Sequence, residues 1–415
     1  MANMTTRARS TDKSSDQHMY SRVTSEDPNS NGVPSVLESD VLDEALIINK
    51  QTTWWRKSAQ LLVCALAGIV FGFAMEKGRV FEPWLIRQQM QFKKFVMMKM
   101  FLSAVASSLI CFSVMSIIPV FKMSFQTASR NYLSGVFSKS ITDTGLGGAL
   151  LGVGMTLSGG CPGNVLIQVG SGVNNAGTTF IGCLVGALIF GLFESSIMSY
   201  MTPANFKTYT LEKYFNMKYI KIALPLAAML MTIVALVEYC FPWTSELTSP
   251  QTPGVTILHL RAWPSYLCGA LVGLLQIPII LAVEDTLGGS SSYCTMVSQA
   301  FSHDGLSRWS PYLAKFSSGM DNWWQVFYVT SAILGGFISA YLSDTLGSAE
   351  SVSAVDAFVG GILMVFGARL AGGCTSGHGL SGLGTLNFLS FVAVPAMFAG
   401  GMATAAIMDV FGYMQ

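Results

Sequence analysis

Two long stretches of the chain contain no Asp, Glu, Lys or Arg, and they restrict most strongly what the chain can fold into. They cover residues 144–193 and 370–408, and the second holds a single histidine. A helix needs about 20 predominantly apolar residues to cross the ~30 Å hydrocarbon layer of a bilayer. Each stretch is too long for one crossing, so each must turn inside or near the membrane.

The rest of the sequence is equally apolar. Hydrophobic residues make up 51% of the chain and charged residues only 11%. Further apolar runs have the length of single crossings, and tryptophans lie near their ends, where headgroups favour them. We therefore predict an all-α polytopic membrane protein with about nine transmembrane helices, at residues 58–75, 96–120, 144–158, 176–200, 221–241, 262–283, 322–343, 354–370 and 386–408.

Composition argues against several other classes of protein. The net charge of +1 gives no electrostatic case for nucleic-acid binding. The eight cysteines lie mostly alone in apolar runs, which does not fit a disulfide scaffold. No pair of loops has the ligand spacing that zinc usually takes, so we predict no metal and no other cofactor. Five cysteines are expected to be small buried hydrophobic residues: Cys64, Cys111, Cys183, Cys240 and Cys268.

Basic residues near the predicted spans suggest an orientation. Residues 1–53 are rich in Ser, Thr, Asp and Asn and are predicted to be a disordered cytoplasmic tail without a signal peptide. Basic residues precede the first span and follow the second and fourth, which places these segments in the cytoplasm of a plasma-membrane protein. Residues 76–99 disagree, because they carry six basic residues and should lie outside. We expect an amphipathic or re-entrant piece there.

An internal repeat relates the two halves of the chain. GGALLGVGMTLSGGC at residues 147–161 aligns with GGILMVFGARLAGGC at 360–374 after a shift of 213 positions, the difference between 374 and 161. Glycines 68 and 72 correspond more weakly to glycines 269 and 273. With one span in a linking segment at 204–261, the repeats 54–203 and 262–415 start on opposite sides of the membrane. Inverted repeats with broken helices are typical of transporters.

The chemistry of the chain concentrates in two glycine-cysteine loops, GGCPGN at residues 159–164 and GGCTSGHG at 372–379. Glycines allow backbone conformations that other residues avoid, and the ends of broken helices expose amides that attract anions. A thiol is a weak donor and a soft, polarizable group, which suits a sulfur-bearing anion. The predicted substrate-binding residues are Cys161, Cys374, Cys294, Gly159, Gly160, Asn164, Gly372, Gly373, Ser376 and His378, and we predict no catalytic residues.

Several of these residues have a second, structural interpretation. Cys294, in the glycine-serine break GGSSSYCTM, is as consistent with packing as with function. His378 could bind the substrate or act as a pH-dependent gate. The interpretation we favour is structural, with the imidazole hydrogen-bonded to carbonyl groups of the loop. Asn164 could simply form a turn with its own backbone. Arg369 is a further functional candidate, because charge at membrane depth is costly.

The motif GGCTSGHGLSG, together with GGCPGN, resembles the YeeE/YedE family of sulfur-transport membrane proteins over roughly residues 58–410. The resemblance implies uptake of thiosulfate or a related inorganic sulfur anion, with Cys161 and Cys374 contacting the passing ion. It also implies an aromatic-cysteine pair after the first span. Here the corresponding piece is GRVFE at residues 78–82, with Glu82 where the thiol is expected, and the pair Tyr293-Cys294 lies in the other half instead.

The leading hypothesis is therefore a transporter, not an enzyme, whose partners are a small inorganic sulfur anion and the lipid bilayer. A sulfur-accepting protein partner is left open. Two other interpretations also remain. One is a membrane thiol enzyme that handles persulfide sulfur on Cys161 or Cys374. The other is a transporter of an unrelated small solute, in which the thiols only pack.

Overall fold

The predicted apolar runs are helices in the computed structural model, which describes residues 36–136, 139–201, 210–251, 254–301 and 309–413. The chain divides after Arg56, and the architecture below is that of residues 57–415. The described helices are α1 (Val36–Lys77), α2 (Pro83–Met90), α3 (Val96–Ile117), α4 (Pro119–Val136), α5 (Ile141–Ser158), α6 (Asn164–Gly170), α7 (Ala176–Met201), α8 (Leu211–Tyr214), α9 (Tyr219–Cys240), α10 (Ser265–Leu274), α11 (Gln276–Val283), α12 (Ser290–Ser298), α13 (Pro311–Ala314), α14 (Met320–Leu342), α15 (Ala354–Ala371), a π-helix (Thr375–Gly382) and α16 (Phe388–Val410).

Eight segments in the described part of the chain are long and apolar enough to cross a membrane. They lie in α1, α3, α7, α9, α10 with α11, α14, α15 and α16, so eight of the nine predicted spans are confirmed as such. The ninth, at 144–158, is helix α5, which is less apolar because it contains Asp143 and several glycines. Helix α1 begins at Val36, inside the predicted tail of residues 1–53, whose residues 1–35 lie outside the described residues.

Part of the positive charge in residues 76–99 is paired with neighbouring acidic side chains. Arg79 pairs with Glu76 at 3.1 Å and also with Glu82. The buried ammonium group of Lys99 lies 2.8 Å from a carboxylate oxygen of Glu238. Most of α2, in the middle of this segment, is buried in the protein. Arg79 and Lys99 therefore belong to ion pairs inside the bundle, so counting them as free charges overstates the positive charge of this segment.

Helices α5 and α15 run antiparallel and approach each other closely through glycines. A Cβ atom added at Gly147 or Gly154 would collide with the backbone of α15, and one added at Gly360 or Gly367 would collide with the backbone of α5. Small residues at such positions let two helices pack backbone to backbone, which is a common way to join helices in a membrane. This pair forms the centre of the molecule and carries both glycine-cysteine loops at its ends.

The connecting segments gather at two ends of the bundle. At one end, Lys122 and Arg130 of α4 line a cleft together with Lys213 and Lys218. At the other end, the N–H of Gly347 donates to the carbonyl of Ser171 at 2.9 Å. The basic segments that follow α3 and α7 thus lie together at one end, and the acidic segment after α14 lies at the other.

Candidate functional site

The two GGC loops begin with the same backbone turn. Helix α5 is followed by Gly159 with φ +61°, and helix α15 is followed by Gly372 with φ +85°. In each loop the next glycine donates its N–H to the carbonyl five residues back, that of Met155 at 3.1 Å and that of Ala368 at 2.9 Å. A left-handed glycine with this bonding is a common helix ending. The sequence repeat is therefore also a repeat of local structure.

The first loop presents a partly exposed thiol. The Sγ atom of Cys161 accepts the backbone N–H of Asn164 at 3.4 Å, at the start of α6. The side-chain amide of Asn164 donates to the carbonyl of Val80 at 2.8 Å. Its Oδ1 atom is buried and has no hydrogen-bond partner among the described residues. The loop therefore offers a thiol and an unused amide oxygen at the same place.

Two residues outside the loops hold the first loop in position. The side-chain amide of Gln168 donates to the carbonyl of Gly159 at 2.8 Å. The hydroxyl of Tyr293, which is fully buried in α12, donates to the carbonyl of Pro162 at 2.6 Å. Sequence reasoning noticed Tyr293 only as the neighbour of Cys294 and missed Gln168. Gln168 could have been identified from the sequence, because it is a polar side chain in a stretch without charged residues.

The second loop encloses its thiol completely. Cys374 is 0% exposed, and its Sγ atom lies 3.2 Å from the hydroxyl of Ser376. The backbone N–H groups of Gly289 and Gly377 also act on this sulfur. These groups belong to the starts of α12 and of the π-helix, where amides have no partner within the helix. The sulfur of Cys374 is therefore surrounded by donors.

His378 bonds within the protein through both ring nitrogens. Its Nε2 atom lies 3.1 Å from the carbonyl of Ala371, and because a carbonyl only accepts, Nε2 carries the proton. Its Nδ1 atom lies 3.0 Å from the hydroxyl of Ser390 and 3.4 Å from that of Tyr132. This geometry fits a histidine that ties the second loop to α15 and α16, in agreement with the structural reading.

Residues of both loops line one cavity of about 80 Å³. Its polar lining residues are Cys161 and Asn164 from the first loop and Thr375 and Ser376 from the second. Much of the remaining wall is soft and apolar, with six methionines and three phenylalanines: Met75, Met90, Met97, Met100, Met155, Met397, Phe71, Phe101 and Phe398. Cys374 does not line the cavity but lies directly behind Thr375 and Ser376.

Other predicted site residues lie away from this cavity. Cys294 is 0% exposed and lies beside Arg369 and Tyr312. The glycines Gly159, Gly160, Gly372 and Gly373 shape the two turns without lining the cavity. Glu82 pairs with Arg79, accepts the hydroxyl of Thr248 at 2.7 Å and does not line the cavity.

Comparison with known proteins agrees with this architecture. The thiosulfate transporter TsuA of Escherichia coli (strain K12) is 26% identical over 359 residues, which are 82% of this chain and 93% of that protein. The protein of the same name from Spirochaeta thermophila is 23% identical over 363 residues, 83% of this chain and 97% of its own. A probable transporter of Xylella fastidiosa (strain 9a5c) is 35% identical over 85 residues, 20% of this chain and 63% of its own. The sulphur-transport family matches residues 77–403, and the chain therefore belongs to this family, also called YeeE/YedE.

Proposed function

We propose that this protein carries thiosulfate, or a related inorganic sulfur anion, into the cell along a path that passes Cys161 and Cys374. The observation that carries the proposal is the shared cavity, in which Cys161 of the first loop meets Thr375 and Ser376 of the second. Two relatives that span most of the chain are named thiosulfate transporters. Membership in a sulphur-transport family supports the same substrate class.

The lining of the cavity suits a soft anion that must pass without being trapped. None of its lining residues is charged, so no fixed cation binds the ion too tightly to release it. The thiol of Cys161 and the hydroxyls of Thr375 and Ser376 donate weak or neutral hydrogen bonds. The polarizable sulfur atoms of the methionines match the polarizable terminal sulfur of thiosulfate. Chloride carries no terminal sulfur and therefore gains less from these walls.

Two inverted repeats, 54–203 and 262–415, are part of the proposal. The contacts between α5 and α15 come in pairs that the sequence repeat relates, because Gly147 corresponds to Gly360 and Gly154 to Gly367. A Cβ at Gly147 would lie 2.8 Å from the carbonyl of Gly367, and one at Gly360 would lie 2.9 Å from the carbonyl of Gly154. Such pairs are what a twofold axis produces. An axis in the membrane plane makes the two GGC loops re-enter the membrane from opposite sides.

The same pairing extends to the outer helices of each half. Gly68 packs against the carbonyl of Tyr328 on α14, and Gly269 packs in the same way against the carbonyl of Met100 on α3. The weaker sequence correspondence of glycines 68 and 72 with 269 and 273 thus has a matching packing role. This match supports the view that α1 corresponds to α10 with α11, and that α3 corresponds to α14.

The order of contacts follows from the exposure of the two thiols. Cys161 lines the cavity, whereas Cys374 is covered by Thr375 and Ser376. An anion that enters the cavity therefore meets Cys161 first and reaches Cys374 only when the second loop moves. Glycines on both sides of Cys374 supply a backbone that can make such a movement.

The proposal is tested by uptake of radiolabelled thiosulfate into proteoliposomes that contain the full chain. We expect Cys161→Ala and Cys374→Ala to lower the uptake rate by at least about tenfold, because each removes a donor that no neighbour replaces. The matched control is Cys240→Ala, which alters an exposed thiol at the end of α9 and should leave the rate unchanged. Equal rates for Cys374→Ala and wild type, or wild-type uptake no greater than that of empty vesicles, would contradict the proposal.

A further inference from the structure

Arg369 is a cation inside the bundle whose described partners are all neutral. It lies in the last turn of α15, and its Nε atom donates to the hydroxyl of Tyr312 at 2.6 Å. Its Nη1 atom lies 3.2 Å from the hydroxyl of Ser291 and 3.5 Å from that of Ser290. The guanidinium also lies over the ring of Phe316, 5.2 Å from the centroid. Among the described residues, no carboxylate lies within ion-pair distance of it.

Neutral partners do not remove the positive charge. The C-terminal end of a helix and the faces of aromatic rings both favour a cation, which offsets part of the cost of burying the guanidinium. A charge at this depth nevertheless remains expensive unless an opposite charge accompanies it. Arg369 also has more N–H donors than it uses here. The group is therefore prepared to bind an anion and is not needed for any ion pair within the described part of the protein.

A second cation lies near Arg369. Lys139 lies directly beside the Gly372 turn, where a Cβ would be 3.0 Å from its Cγ atom. Burial first, and then the positive charge of Arg369, lowers the pKa of Lys139 to about 8, although Asp143 and Glu194 act in the opposite direction. Lys139 is still mostly protonated at pH 7. The two positive groups thus influence each other, and an anion near them would relieve their repulsion.

Ser290 connects Arg369 to the proposed route. Its hydroxyl interacts both with the sulfur of Cys374 and with the guanidinium of Arg369. Neither Arg369 nor Ser290 lines the methionine-rich cavity. Arg369 and Ser291 are nevertheless partly exposed, so they face space on another side of the second loop. The chain therefore offers a continuous set of donors that begins at Cys374 and leads away from the cavity.

We propose that Arg369, together with the hydroxyls of Ser290 and Ser291, forms a second binding site for the transported anion, which the ion occupies after it has passed Cys374. This inference rests on the proposed function and adds the next step of the route. A guanidinium presents N–H groups in a planar fork that binds two oxygens of an oxyanion at once. The sulfonate oxygens of thiosulfate have this arrangement, whereas its terminal sulfur suits the thiols.

Two measurements on the same proteoliposomes test the inference. The first is the rate of thiosulfate uptake. The second is the thiosulfate concentration that half-protects Cys161 from a maleimide, measured by mass spectrometry of the peptide that contains Cys161. The variants are Arg369→Gln, which removes the charge, and Arg369→Lys, which keeps it. Arg130→Gln is the control, because it alters an exposed guanidinium of α4 whose bonds to described residues all lie within its own helix.

We expect Arg369→Gln to lower uptake by at least about tenfold, the loss expected when a charge-assisted hydrogen bond is removed. Arg369→Lys should lose less, and the half-protecting concentration for Cys161 should stay at its wild-type value in both variants. Wild-type uptake by Arg369→Gln would overturn the inference and leave the proposed function intact. A half-protecting concentration that rises as uptake falls would also overturn it, since Arg369 would then act on the cavity or on folding.

Failure of the proposed function would look different, because wild type itself would then show neither uptake nor protection of Cys161.

A second variant keeps the test decisive if Arg369→Gln does not fold. Ser291→Ala removes one hydroxyl beside the guanidinium and leaves Arg369 in place. We expect it to lower uptake severalfold with unchanged protection of Cys161, and wild-type uptake by this variant would overturn the inference.

Discussion

Gly159 and Gly372 determine where the two cysteines lie, because each turns the chain out of its helix just before the thiol. Their environments differ even though their turns are alike. A Cβ at Gly159 would lie 2.7 Å from the Cα atom of Pro83, which is rigid backbone, whereas a Cβ at Gly372 would lie 3.0 Å from the flexible side chain of Lys139. The two positions should therefore tolerate a side chain unequally.

We predict that Gly159→Ala destabilises the protein more than Gly372→Ala. Both variants force a side chain into a left-handed turn, at about 1–2 kcal/mol, and only Gly159→Ala adds a collision with backbone. Gly177→Ala is the control, because the added Cβ meets nothing within 4 Å inside helix α7, where alanine is favoured over glycine. Thermal unfolding in detergent should rank the midpoints as Gly177→Ala highest and Gly159→Ala lowest. The reverse order for Gly159→Ala and Gly372→Ala would contradict the assigned packing.

Local sequence determines some features of the site and not others. The two turns and the position of each thiol could be predicted, because a GGC motif at a helix end is a local pattern. The surroundings of each thiol could not, because they come from distant parts of the chain. Glu82, which stands where the family resemblance implies a thiol, bonds Thr248, 166 positions away. The loop carbonyl of Pro162 is held by Tyr293, 131 positions away. No spacing along the chain encodes such partners.

At the scale of elements, the apolar runs predicted the long helices well and the short ones poorly. The spans at 96–120, 176–200 and 354–370 match α3, α7 and α15 closely, because about 20 apolar residues leave little choice in a membrane. Helices α2 and α12 were not predicted as helices, since neither has the length or the apolar pattern of a span. Both are positioned by buried polar contacts, which depend on the completed bundle.

Lys99 shows how such contacts join elements. Its ammonium group, which is 0% exposed on α3, lies 2.8 Å from Glu238 of α9 and 2.6 Å from Glu246 in the following 3₁₀ turn. Helix α9 has few other buried residues. The charge cluster is therefore a principal attachment of α9 at this end of the bundle.

We predict that Lys99→Ala lowers the free energy of unfolding by about 3 kcal/mol or more, because it leaves two carboxylates without their cation. Lys94→Ala is the matched control, since Lys94 is partly exposed and, among the described residues, donates to the carbonyl of Ser245 at 3.3 Å without an ion pair; a change within about 0.5 kcal/mol is expected there. Chemical unfolding in detergent measures both. Similar values for the two variants would mean that the cluster does not hold α9 in place.

At the scale of the whole molecule, two inverted repeats separated by one span require an odd number of crossings. The proposed inverted repeats therefore assign the ninth crossing to α5 together with α6, which follows it after the first GGC loop. The end of α16 fits this count, because the side-chain amide of Gln91 donates to Asp409 at 2.9 Å. That contact places the end of α16 beside α2, and the basic cleft of α4, α8 and α9 lies at the opposite end.

The proposed orientation predicts that residues 134 and 413 lie on opposite faces of the membrane. Ser134 and Tyr413 are both exposed, so Ser134→Cys and Tyr413→Cys, each in a chain that also carries Cys161→Ala and Cys240→Ala, report the two faces. A membrane-impermeant maleimide should label Tyr413→Cys in intact cells and Ser134→Cys only after permeabilisation. The reverse result would exchange inside and outside but keep the repeats, because the basic residues alone decide the orientation. If both variants were labelled from the same side, the chain between residues 134 and 413 would cross the membrane an even number of times. A twofold axis in the membrane plane could then not relate the two halves.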